Sequence, residues 1–320
     1  MSRPPFLTLP PCARAHRLGT ARGDFAVHDA VPPAGTPRLG SALLVPGFTG
    51  SKEDFIALLE PLAQRGFRVV AVDGRGQHES AGPREEGAYA QAELARDVLA
   101  LAAAVGADGG PVHLVGHSLG GLIARAAVLA DRTPFASLTI MSSGPGAICE
   151  AQQARTKLLV DALLVWDMET VWQAMRELDP PEAAGDATPP AVREFLHRRW
   201  QGTVPEQLIA TGKQLIGEPD RVDELAAVPL PKLVLSGVVD YAWPVPLMDA
   251  MADRLAARRA VVDGAEHSPA AERPRPTAEA LAAFWEGNGA WEGDGAWEGD
   301  GAREGDGPRE GVGPREGAGA

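Results

Sequence analysis

Three side chains in this sequence could together carry nucleophilic catalysis: a serine, an aspartate and a histidine, in that order along the chain. Ser118 lies in V-G-H-S-L-G-G (residues 115–121), after the apolar run P-V-H-L-V and before G-L-I-A-R-A-A-V-L-A. A serine held on a sharp strand-to-helix turn crowds the neighbouring chain, and Gly116 and Gly120 remove the side chains that would clash. The helix that follows aims its N-terminus at the site, which favours negative charge there. A hydroxyl is a weak nucleophile, so it needs a histidine to take its proton and a carboxylate to hold that histidine in the right tautomer. Among the seven histidines, His16, His28 and His197 fall in edge strands or a helix, and His113 lies inside a strand. His117 flanks the serine, whereas His267 follows the last strand in G-A-E-H-S-P, as a base on a loop should. Asp240, in G-V-V-D-Y-A-W-P, stands just beyond the strand run K-L-V-L-S and 27 residues before His267. That interval fits one helix and one strand, which returns the chain to the same sheet edge. Asp249 falls inside the next helix, and Glu266 adjoins the histidine but points elsewhere on an extended loop.

The elements that must position these groups alternate in type. Residues 14–30 read as a strand pair turning near Gly23-Asp24, and 41–45, 67–72, 111–115 and 135–141 as further strands. Residues 53–65 carry Phe55, Leu58, Leu59 and Leu62 on one helical stripe, and 90–105 and 120–130 also read as helices. For about eighty residues after Ser142 strand signals cease. A long helical pattern over 151–178, a Pro/Ala/Gly break at 179–190 and helices over 191–200 and 205–216 form an expected helical insertion, assigned to 146–222. Strand 232–235, helix 245–257, strand 259–262 and helix 277–285 then resume the rhythm. Such alternation predicts an α/β fold with a mostly parallel, eight-stranded sheet, helices on both faces and catalytic loops at the carboxyl ends of the strands.

Composition limits the partners. The chain has 320 residues and a net charge of −13. From Trp285 onward it repeats WEGNGA, WEGDGA, WEGDGA, REGDGP, REGVGP and REGAGA, too Gly-rich and too poor in apolar residues to offset its ordering entropy. Residues 286–320 are therefore expected to be a disordered tail, residues 1–14 an N-terminal extension, and 15–145 with 223–285 the folded core. The tail's nine acidic residues and three arginines account for about −6 of the charge. No basic patch suggests nucleic acid. Cys12 and Cys149, the only cysteines, have no metal-site or disulfide spacing. With prolines early in the chain and no run of 18 apolar residues, a soluble, cytoplasmic protein without a membrane partner is expected.

The order Ser118, Asp240, His267 resembles that of the α/β-hydrolase superfamily, in its branch with a helical cap after the sixth strand. That branch includes esterases, proline iminopeptidases, enol-lactonases and non-haem haloperoxidases. In the family the loop after the third strand, usually His-Gly and an apolar residue, supplies an oxyanion donor. Here it reads V-P-G-F-T-G, with Pro46 in place of the histidine. The resemblance implies backbone N–H donors at Phe48, beside Gly47, and at Leu119. D-G-R-G-Q-H-E-S (residues 73–80) is similar to the family's Asp-x-Arg-Gly-x-Gly-x-Ser loop, mostly structural there, with His78 replacing the second glycine. His78 is kept as a rival base.

The expected chemistry is hydrolysis of a small hydrophobic ester or lactone through an acyl-enzyme, with no metal or organic cofactor required and a small molecule as the partner. Perhydrolase, C–C bond hydrolase and aminopeptidase activities can use the same triad. A non-catalytic binding module on this scaffold is the alternative of another class. An epoxide hydrolase or dehalogenase would have Asp where Ser118 stands. The insertion is rich in bulky apolar residues, so Trp166 and Trp172, with His117 and Trp243, are candidate pocket residues.

Overall fold

The computed structural model describes residues 1–107, 109–178 and 188–287. Most of the expected break at 179–190, and the repeats beyond Gly287, lie outside the described residues. Among these residues eight strands make one sheet: β1 (Ala13–Thr20), β2 (Gly23–Ala30), β3 (Gly40–Val45), β4 (Phe67–Val72), β5 (Val112–His117), β6 (Phe135–Met141), β7 (Lys232–Gly237) and β8 (Arg258–Val262). Their spatial order is β1-β2-β4-β3-β5-β6-β7-β8. β2 runs antiparallel to both its neighbours, and the pairings from β4 through β8 are parallel.

Period-two burial sorts the strand side chains onto two faces. Leu43, Val45, Val70, Val72, Val112 and Leu114 face one apolar cluster with helices α2 (Gln91–Gly106) and α3 (Leu119–Ala130). Ala42, Leu44, Val69, Ala71 and Val115 face the other, shared with helix α1 (Ile56–Gln64) and a C-terminal helix over Pro274–Gly287. Both faces of the central strands are covered, which is why their sequences read as nearly unbroken apolar runs.

The C-terminal helix runs further than the sequence pattern suggested. Trp285 is buried against Phe67 and stacked on His113, and Glu286 accepts from Arg65 (2.6 and 3.0 Å). The first repeat unit thus begins inside folded structure, with Glu286 and Gly287, expected in the tail, belonging to this helix.

Between β6 and β7 the described chain is helical: α4 (Glu150–Leu163), α5 (Met168–Leu178), α6 (Pro190–Gly202), α7 (Pro205–Gly217) and α8 (Val222–Ala226). The single pattern read over 151–178 is two helices. Asp167 Oδ1 accepts from the Thr170 N–H (2.8 Å), satisfying a free donor at the start of α5 and so breaking the run. Two buried ion pairs fasten this insertion to the sheet domain. Arg199 on α6 donates to Asp54 (2.7 Å), and Arg125 on α3 donates to Glu218 after α7 (2.6 Å). Breaking one partner of such a pair strands a buried charge.

Candidate active site

The sheet order reverses between β3 and β5, since the chain passes outward from β3 to β4 and returns to β5. Crevices in open α/β sheets form at the carboxyl side of that reversal, where flanking loops diverge. Phe48 follows β3 there and Ser118 follows β5. Ser118 has φ 55° and ψ −121°, a left-handed conformation that costs a non-glycine residue about 1–3 kcal/mol and that the neighbouring chain must hold in place. Its N–H donates to Met141 O (2.9 Å) and its carbonyl accepts from Gly121 N (2.9 Å). A Cβ on Gly116 would run into the Gly120 carbonyl, and one on Gly120 into the carbonyls of Val45 and Pro46. The turn thus exists because two backbone segments lie against it where side chains are absent.

His267 bridges the other two groups. Its Nδ1 lies 2.8 Å from Asp240 Oδ2 and its Nε2 lies 3.1 Å from Ser118 Oγ. A carboxylate oxygen only accepts, so Nδ1 carries the hydrogen and the Nε2 lone pair faces the serine hydroxyl. Asp240 is itself aimed, because its Oδ1 accepts from the N–H groups of Ala242 (2.8 Å) and Trp243 (3.0 Å). Gly237, at the end of β7, lets the His267 loop cross close, and the Val238 N–H donates to Ala265 O (2.9 Å). All three side chains are under a tenth exposed. Asp249 is engaged elsewhere, accepting from Arg259 (2.8 Å), and the rival base His78 turns its ring to Phe195 on α6 (5.5 Å between centroids).

Two contacts on His267 were not legible in the sequence. His117 Nε2 donates to the His267 carbonyl (2.7 Å), and the Tyr241 ring packs at 4.6 Å from the His267 ring. Burial lowers the His117 pKa to about 4, so this ring is neutral near pH 7. Burial brings His28 and His113 to about 4 as well. Below the ordinary histidine value of 6.5 the unfolded chain therefore binds protons that the folded protein refuses. Their stabilisation is complete above that value and is lost as pH falls toward 4, by up to about 1.4 kcal/mol per pH unit for each histidine. Urea midpoints measured from about pH 7 down to about pH 4.5 should decline steadily; a flat profile would contradict neutral buried rings.

Around the β3 loop, Phe48 is half-buried and packs against both the sheet domain and the insertion's cluster of Val160, Leu163, Trp200 and Leu208. Among the described residues, neither the Phe48 N–H nor the Leu119 N–H has a hydrogen-bond acceptor. Gly47 is adjacent to the serine, since a Cβ there would stand 3.1 Å from Ser118 Cβ. The next turn holds Lys52, 1% exposed, whose ammonium reaches Asp73 and Glu79 (2.8 Å each) and Glu53 (2.9 Å). Burial alone would lower its pKa, but these carboxylates outweigh burial and hold it above the ordinary lysine value.

Of the expected pocket residues, His117 and Trp243 lie against the triad, the Trp243 ring stacked 6.4 Å from that of His267. Trp243 is wholly buried, with Nε1 donating to Gly146 O (2.9 Å), and is a core residue. Trp166 is half exposed on the turn before α5. Trp172 lies between His197 and Trp200 and lines a separate cavity of about 270 Å³ with Arg176, Arg193 and Leu196. Apolar bulk in an insertion does not say which face meets the site. Among the described residues no cluster of His, Cys, Asp and Glu could hold a metal, and no helix is long and apolar enough to cross a membrane.

A sequence model described as the alpha/beta hydrolase family matches residues 42–280. Two relatives carry the provisional name carbamate hydrolase RutD. The one from Azorhizobium caulinodans is 26% identical over 82% of this chain and 96% of its own. The one from Variovorax paradoxus is 36% identical over 32% of this chain, and the match spans 38% of that relative's length. A thermophilic esterase from Thermogutta terrifontis superposes with a TM-score of 0.68 at 23% identity, covering 86% of this chain and 99% of that one, a likeness of fold.

Proposed function

Because the chain belongs to the alpha/beta hydrolase family, we propose that it is a serine hydrolase that cleaves a small hydrophobic ester or lactone through an acyl-enzyme. Ser118 Oγ attacks the carbonyl carbon while His267 Nε2 takes the hydroxyl proton. The carbonyl π pair moves onto oxygen, where the Phe48 and Leu119 N–H groups stabilise it. As that pair returns, the bond to the leaving alkoxide breaks and His267 hands it the proton. A water deprotonated by His267 then repeats the sequence on the acyl-enzyme and releases the acid and Ser118. The observation that carries this reading is the bridge of His267 between Ser118 Oγ (3.1 Å) and Asp240 (2.8 Å). The apolar insertion cluster against Phe48 favours a hydrophobic acyl group.

A carbamate is the second reading, favoured by the relatives named above, and would pass through a carbamoyl-enzyme at the same serine. The test is a panel of p-nitrophenyl esters graded by acyl length, beside the matching carbamates, with a fluorophosphonate probe on the same preparation. Wild type should label, and butanoate or longer esters should turn over faster than acetate. Faster turnover of carbamates would move the substrate class. An unlabelled wild type would favour a binding module.

A further inference from the structure

We propose that Gln77 is the positioning residue that aims the Phe48 N–H, by gripping the carbonyl on the other side of the same peptide. Gln77 lies in the loop after β4, within the stretch 73–80 that resembles a mostly structural family loop, and is 5% exposed. Its Nε2 donates to Gly47 O (2.8 Å) and its Oε1 accepts from Gly74 N (3.0 Å). Both ends of the amide are thereby committed, which fixes which end faces Gly47.

The Gly47 carbonyl and the Phe48 N–H belong to one peptide unit, and in a trans peptide they point in opposite directions. A donor held on the carbonyl side therefore fixes the direction of the N–H. Rotating that peptide would turn the Phe48 N–H toward the NH₂ of Gln77, donor against donor. Gly50 N also reaches Gly47 O, at a longer 3.2 Å. Pro46, just before Gly47, has no polar side chain with which to brace the loop from within. The base of the gripping loop is itself anchored, since Asp73 accepts from both the N–H and the ammonium of Lys52 (2.8 Å each). β3 and β4 are parallel neighbours, so these two loops emerge side by side and one braces the other.

The inference rests on the serine-hydrolase reading, and its test separates the two. Gln77→Leu removes the donor. Gln77→Glu keeps the shape and the acceptor for Gly74 N, but offers Gly47 O a second acceptor while the carboxyl is ionised and a donor once it is protonated. On the best p-nitrophenyl ester, kcat should fall about 10- to 100-fold in both variants near neutral pH, with KM within about threefold, less than deleting a donor outright. The ratio of Gln77→Glu to wild-type kcat should rise as pH is lowered, while that of Gln77→Leu stays flat. A residue that only fills space would not separate the two profiles. The proposal is overturned if Gln77→Leu keeps kcat within about twofold of wild type, or if both ratios share one pH profile. Should Gln77→Leu not fold, the Gln77→Glu ratio decides alone: flat overturns the proposal. Wild type failing both to label and to hydrolyse would sink the serine reading, and the inference with it.

Discussion

Ser118→Ala should lower kcat by about 10⁵- to 10⁶-fold and abolish fluorophosphonate labelling, because the bond-forming oxygen is gone while the rest of the site stands. The loss should come with almost no change in stability. Among the described residues Ser118 Oγ has one hydrogen-bond partner, His267 Nε2, and alanine places the same Cβ on the same left-handed backbone. The turn itself is held by Met141 O and Gly121 N, bonds that the substitution does not touch. The unfolding free energy from urea titration should therefore shift by less than about 1 kcal/mol. A folded Ser118→Ala protein that kept even about a hundredth of wild-type kcat would disprove the assignment.

Asp240→Asn should cost about 10⁴-fold in kcat with the fold intact. The loop around residue 240 dictates how asparagine must sit. Ala242 and Trp243 both donate to Oδ1, so the amide oxygen takes that place and the NH₂ group faces His267. A donor facing Nδ1 pushes the imidazole hydrogen onto Nε2, which then offers Ser118 an N–H instead of a lone pair. KM should move little, because among the described residues the Asp240 carboxylate hydrogen-bonds only to the histidine and to backbone. The measurement is kcat and labelling rate beside wild type. An unaffected rate would show that another carboxylate orients His267, which the engagement of Asp249 by Arg259 argues against.

Much of this was legible in the sequence. Alternating apolar runs and amphipathic segments gave the sheet, its strand count and the sheet edge on which Ser118, Asp240 and His267 would meet, because those depend on chain order and periodicity. What failed depended on which face of an element meets which neighbour. Trp243 and Trp172 look like pocket aromatics in a one-dimensional reading, yet one is core beside His267 and the other turns to His197. The split between α4 and α5 did have a signal, Asp167 three residues before Thr170, hidden inside an otherwise continuous helical pattern. Gln77 had none of its own. Its role follows only once β3 and β4 are known to be parallel neighbours, which puts two distant loops in contact.

The crowding around the serine turn also tells an engineer where diversity can be afforded. The groups that a side chain at Gly116 or Gly120 would strike are carbonyls of neighbouring backbone, and backbone cannot rotate aside as a rotamer can. Random libraries over this turn should return mostly inactive clones. The outward positions of the insertion, such as Leu158, Leu164 and Trp166, are more than half exposed and should accept wide replacement. Directed evolution of this hydrolase would thus find its adaptable sequence in the insertion and its invariant sequence at the strand ends.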